Sequence, residues 1–117
     1  VKRTKIFIIC AVRSAEPLYI AKIASYVAVL KERGHEVYCP PFDTNQQASG
    51  YDICRQNQAA IIRADEVHIF YNSKSQGTHF DMGVAFALGK RVVIVENESY
   101  GEGKSFPRML DEWSQNV

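Results

Sequence analysis

Asp81 is the residue around which chemistry is most readily built in this chain. It lies in the run Ile69–Val95, IFYNSKSQGTHFDMGVAFALGKRVVIV, which reads as a strand end, a polar loop, a helix from about Thr78 to Leu88, a glycine stop and a second buried strand. An acid one turn into the helix after such a loop faces the crevice where parallel α/β sheets bind ligands. Arg13 and Ser14, in a loop after an earlier apolar run, could hold a phosphate together with exposed loop amides. Arg13 could equally be a solvated loop cation. Ser75 to Gly77 reads either as a turn whose backbone approaches a ligand closely or as an ordinary loop. Asn57 falls on the apolar stripe of a helix, so its amide must find a partner, as a structural tether or as part of a site. Asp81 also has a second reading: Thr78-His79-Phe80-Asp81 has the form of a capping box, with Thr78 as N-cap and Asp81 reaching back to it.

Other chemistries lack their residues. No GxGxxG follows the first strand and no GxxxxGK[ST] occurs, so neither a dinucleotide fingerprint nor a P-loop is supported. His35, His68 and His79 lack metal-ligand spacing, and no metal or other cofactor is expected. There is no GxSxG elbow, and Cys54 has no recognisable catalytic partner. Cys10, Cys39 and Cys54 form no CxxC pair, which suits buried reduced thiols and a cytoplasmic protein.

The elements that must position these residues follow from periodicity. Lys5–Val12 contains an unbroken β-rich run, as for a strand covered on both faces. Pro17 opens a helix with Ile20, Ile23, Ala24, Val27 and Leu30 on one face, closed by Gly34. Glu36–Cys39 is a short strand ended by Pro40-Pro41. Phe42–Gly50 reads as an irregular mobile loop. A second helix runs from about Tyr51 to Arg63, followed by a strand Val67–Tyr71 and the Asp81 junction. After Val95 a polar loop leads to a short helix, Phe106–Trp113, with Phe106, Met109, Leu110 and Trp113 on one face. Alternating strands and helices predict a three-layer, doubly wound parallel sheet of flavodoxin-like strand order 2-1-3-4, with or without a fifth edge strand. That order puts the loops Ala11–Glu16 and Asn72–His79 beside one crevice.

With 117 residues the chain is one domain, 1–117. A net charge of +1 gives no general attraction to nucleic acid or to membranes. The basic-then-apolar start VKRTKIFIICAV reads as a strand rather than a signal peptide, and no stretch is long enough to span a bilayer.

The stretch ADEVHIFYNSKSQGTHFDMGVAFALGKRVVIV resembles the nucleoside 2-deoxyribosyltransferase superfamily, whose motif is roughly AD, an apolar strand, a loop, then G-x-x-x-E-x-G-x-A. The likeness is closer to the branch of 2′-deoxynucleoside 5′-monophosphate N-glycosidases, whose first loop is matched by Ala11-Val12-Arg13-Ser14-Ala15. The resemblance implies that the motif's nucleophilic Glu falls on Asp81, and that an upstream Asp assisting at sugar and base falls on Asn57. It implies a 5′-phosphate held by Arg13, Ser75 and a late serine from the neighbouring subunit, matched by Ser105, hence a homodimer acting on a small nucleotide, with the Phe106, Met109 and Trp113 stripe of the last helix expected to take part in the subunit contact. The departures are Asp for Glu at 81, Asn for Asp at 57 and Ala for a small serine at 11. They leave three outcomes open: hydrolysis of a nucleoside monophosphate, a nucleotide-binding module without turnover, and transfer of the sugar to a second base.

Overall fold

The apolar run Lys5–Ile9 forms β1, the central strand of a parallel sheet. The computed structural model describes residues 3–13 and 15–116; the expected anion-binding residue Ser14 lies outside the described residues. The chain continues as α1 (Pro17–Glu32), β2 (Glu36–Tyr38), α2 (Pro40–Asp43), α3 (Gly50–Arg63), β3 (Glu66–Phe70), α4 (Gln76–Ala87), β4 (Arg91–Glu96) and α5 (Phe106–Gln115). The strands are all parallel in the order β2-β1-β3-β4, the expected flavodoxin-like arrangement, with no fifth strand among the described residues.

Alternation along β1 divides the core into two layers. Ile6, Ile8 and Cys10 meet Ile23, Val27 and Leu30 of α1 on one face. Phe7 and Ile9 meet Ala60, Ile61 and Ala64 of α3 on the other, in a cluster that also holds Met82 and Ala85 of α4 and Leu110 and Trp113 of α5. Gly34 (φ +90°) and Gly89 (φ +65°) follow α1 and α4 in the left-handed conformation that ends helices. Between Ile69 and Phe70 the β3–β4 register slips by one, so Phe70 pairs with Glu96 and Val95 is passed over. No helix is long and apolar enough to cross a membrane.

Three expectations change. Pro40-Pro41 does more than end β2: proline suits the first turn of a helix, and the pair opens α2. The segment Phe42–Gly50 is therefore a loop only in part: Phe42 and Asp43 belong to α2, Gly50 opens α3, and side-chain hydrogen bonds tie down the irregular stretch between them. Asp43 accepts from the Cys39 amide at 2.8 Å, Gln46 donates to the Pro40 carbonyl at 2.9 Å, and Gln56 accepts from the Asn45 amide at 3.1 Å. Lastly, the α5 stripe is not a free face. Leu110 and Trp113 are buried in the chain's own core with Met109 packed against it, and only Phe106 is left exposed.

Candidate active site

The geometry of the site starts with where α4 begins. Ser75 is its N-cap, in extended backbone, and its hydroxyl accepts from the Thr78 amide at 3.1 Å. Thr78 is thus the third helical residue rather than the cap, and the capping-box reading of Asp81 is overturned. A small hydroxyl three residues upstream satisfies the orphan amide and lets the helix start earlier, which leaves Asp81 in the second turn with no capping duty. Thr78, Asp81, Met82 and Ala85 form the buried stripe of α4.

Asp81 is 4 % exposed. Its Oδ2 accepts from Asn57 Nδ2 of α3 at 3.4 Å, a long bond, and its Oδ1 is buried without a partner. Burial pushes its pKa up to about 7, and the Asn57 bond acts in the opposite sense. Asn57 is held in turn by Thr44, whose hydroxyl donates to Asn57 Oδ1 at 2.7 Å. Since the Thr44 proton is spent there, the Tyr38 hydroxyl, 2.7 Å from Thr44 Oγ1, must donate to it. Tyr38, Thr44, Asn57 and Asp81 therefore form a one-way line of donors ending on the carboxylate, which when ionised can only accept and so fixes which end of the amide faces it. Asn57 is thus a tether between Thr44 and Asp81.

Tyr38 and Thr44 were not expected from the sequence. They are joined to Asn57 only by tertiary structure, and a tyrosine in a strand or a threonine after a proline turn carries no distinguishing signal. Thr78 did carry a signal, but one that pointed to a cap.

The expected anion-binding residues surround this centre less tightly. Arg13 is exposed on the turn after β1, and no hydrogen bond or ion pair engages its guanidinium among the described residues. Strand order sets that turn beside the loop after β3. Gly77, the second residue of α4, has open space where a Cβ would stand, so its own chain does not demand glycine. With Ser75 it forms the exposed helix start, where backbone N–H groups favour an anion. Ser105 is the exposed N-cap of α5, its hydroxyl accepting from the Arg108 amide at 3.3 Å. The next residue, Phe106, rests edge-on against His79 of α4 with ring centroids 5.0 Å apart. His79 Nδ1 lies 2.7 Å from the Ser75 carbonyl, which can only accept, so Nδ1 carries the proton and Nε2 accepts from the Tyr71 hydroxyl at 3.0 Å. That histidine braces the loop that carries Ser75.

The cysteines take no part in this chemistry. Cys10 and Cys39 are buried, and a hydrogen bond with Cys39 together with burial pushes the Cys10 thiol far up. Among the described residues no group of three or more His, Cys, Asp or Glu could hold a metal ion. Two surface cavities, about 460 and about 420 Å³, lie away from Asp81, one beside Lys5, Glu36 and Arg63, the other between α4 and α5 at Phe86 and Trp113.

Among solved structures, the CMP N-glycosidase BcmB of Clostridium botulinum superposes with a TM-score of 0.70 at 22% identity, covering 94% of this chain and 82% of the other. A 2-deoxyribosyltransferase of Bacillus psychrosaccharolyticus gives 0.68 at 19% identity, with 92% and 80% covered. One of Leishmania mexicana gives 0.63 at 22% identity, with 82% and 66% covered. At these identities the likeness is one of fold. No curated protein matches the chain. The family model described as Nucleoside 2-deoxyribosyltransferase matches residues 16–110, from the residue before α1 into α5 and across Asn57, Ser75, Gly77 and Asp81. The chain belongs to the nucleoside 2-deoxyribosyltransferase family.

Proposed function

We propose that the protein is a nucleoside 5′-monophosphate N-glycosidase with Asp81 as its nucleophile. The observation that carries the reading is a single buried carboxylate, presented by a polar line from Tyr38 to Asn57 that is built to donate to it. One Asp81 oxygen attacks C1′ of the sugar, and the bond from C1′ to the base nitrogen breaks with its electron pair going to the base, which takes a proton as it leaves. Water then cleaves the resulting glycosyl ester, freeing the sugar phosphate and restoring the carboxylate. Asn57 orients Asp81 and takes no proton. Arg13, Ser14, Ser75 and Gly77 bind the 5′-phosphate, and Ser105 of a second subunit completes the cradle. Asp81 is buried, so the site must open for C1′ to reach it.

A nucleotide-binding module without turnover is the competing reading. It is favoured by the carboxylate being one methylene shorter than the motif's Glu, because a displacement of about 1 Å can cost about 10²-fold in rate. Incubation with a panel of ribo- and 2′-deoxyribonucleoside monophosphates, read by chromatography for free base, separates the two. A second base added as acceptor reveals transfer. Monophosphates should bind at least about tenfold more tightly than the matching nucleosides, a difference of about 1.4 kcal/mol. Arg13→Ala should remove most of that preference, and Asp81→Ala should abolish base release while leaving monophosphate binding nearly intact. Equal affinity for nucleoside and nucleotide in the parent protein would overturn the assignment.

A further inference from the structure

Among the described residues, two buried side-chain atoms have no hydrogen-bond partner: Thr78 Oγ1 and Asp81 Oδ1. One is a donor and the other an acceptor. They stand three residues apart on the same buried stripe of α4, where Cβ atoms are about 5–6 Å apart. Helical side chains lean toward the N-terminus, so Asp81 leans over the turn that holds Thr78. Threonine in a helix divides between two χ1 rotamers, so its hydroxyl can turn without moving the backbone. Leaving either atom unpaired costs about 1–3 kcal/mol, and the cost is larger for a charged group. Thr78 is fully buried, so its hydroxyl is out of reach of a ligand unless the site opens around it.

We propose that Thr78 is a positioning residue for Asp81, its hydroxyl turning to donate to Oδ1 when the carboxylate is ionised. Asn57 then holds one oxygen and Thr78 the other, fixing the plane of the carboxylate, while the attacking oxygen keeps a lone pair for C1′. The inference deepens the N-glycosidase reading and rests on it for its catalytic meaning, but the hydrogen bond itself is a property of the free protein. Among the described residues, the other groups near Asp81 are committed elsewhere. Asn57 of α3 is already spent on Oδ2. Cys10, just past β1, is bonded to Cys39 and held protonated. His79 of α4 and Tyr71 after β3 are bonded to one another.

The test is an NMR titration of the parent protein with ¹³C-labelled aspartate carboxyls, with Asp81 assigned by its loss in Asp81→Asn. Three-bond couplings at Thr78 should change with the same midpoint as Asp81, and should be independent of pH in Asp81→Asn. In Thr78→Val, which keeps the shape and removes the hydroxyl, the Asp81 midpoint should rise by about one pH unit, a tenfold change in ionisation. Thr78→Ser should restore it. The acidic limb of kcat/KM for base release should move by the same amount, with KM nearly constant. A Thr78 rotamer indifferent to pH, or an Asp81 midpoint unchanged in Thr78→Val, would overturn the proposal. Absence of base release from every monophosphate would instead remove the N-glycosidase reading, and the titration of the free protein would still decide the role of Thr78.

Discussion

At Asp81 burial and ionisation are opposed, and the opposition has a measurable sign. A carboxyl with a pKa of about 7 in the fold and its ordinary value of 3.8 in the unfolded chain binds its proton more tightly when folded. Below about pH 4 both states are protonated and the group contributes nothing. From there to about pH 7 the unfolded chain ionises first, so stability falls as pH rises, and above pH 7 the loss is complete. Asp81→Asn removes this penalty. Its unfolding free energy, read by denaturant, should match the parent's near pH 4 and exceed it at pH 8 by an amount on the order of 2–4 kcal/mol. A variant no more stable than the parent at pH 8 would contradict this. The same ionisation predicts base release rising with pH through about 7, because only the carboxylate attacks. Such a penalty at one residue is what a site held ready for reaction looks like from the side of stability.

The elements differ in how much of them the sequence disclosed. Apolar runs, periodic stripes and stop signals at Gly34 and Gly89 announced every strand and the longer helices, because those signals are local. Boundaries slipped where two local signals competed: Ser75 and Thr78 both offer a cap, and the earlier one prevails. Ser75→Ala should therefore cost about 0.5–2 kcal/mol by denaturant unfolding and weaken monophosphate binding as well. α2 stayed hidden because a proline pair reads as a stop as easily as a start, and with it went the support of Asn57. Thr44→Val tests that support. It strands the Tyr38 hydroxyl and Asn57 Oδ1, both bonded to Thr44 at 2.7 Å, and should cost about 1–3 kcal/mol. It also removes the bond that holds the Asn57 amide against Asp81, so base release should fall while the backbone fold is kept. A Thr44→Val protein with parental stability and activity would show that the line from Tyr38 to Asp81 is idle.

For the whole molecule, topology was the most legible property and assembly the least. Strand order follows from chain order and the hand of the crossovers, whereas a subunit contact depends on which surfaces remain after folding. α5 was expected to offer Phe106, Met109 and Trp113 to a partner, yet it spends Trp113 on its own core. Phe80 and Phe86 of α4 and Phe106 at the start of α5 are each 47–58 % exposed, Phe80 and Phe106 near the candidate phosphate-binding helix starts. In the proposed homodimer these side chains are the expected contact. Light scattering at micromolar concentration should give twice the chain mass, and Phe80→Glu should return it to one. A monomeric parent protein would remove both the contact and the role given to Ser105.

The sheet has a further consequence for how copies of the chain can meet. Its outer strands are both poor templates for another strand: β2 has three residues and runs straight into two prolines, and the register slip beneath β4 bends its last residues. Growth of the sheet from one molecule into the next is blocked at either margin. At high concentration, crowding should therefore drive copies together through helices and into closed, soluble pairs, and not into the open-ended ribbons that exposed strand margins nucleate.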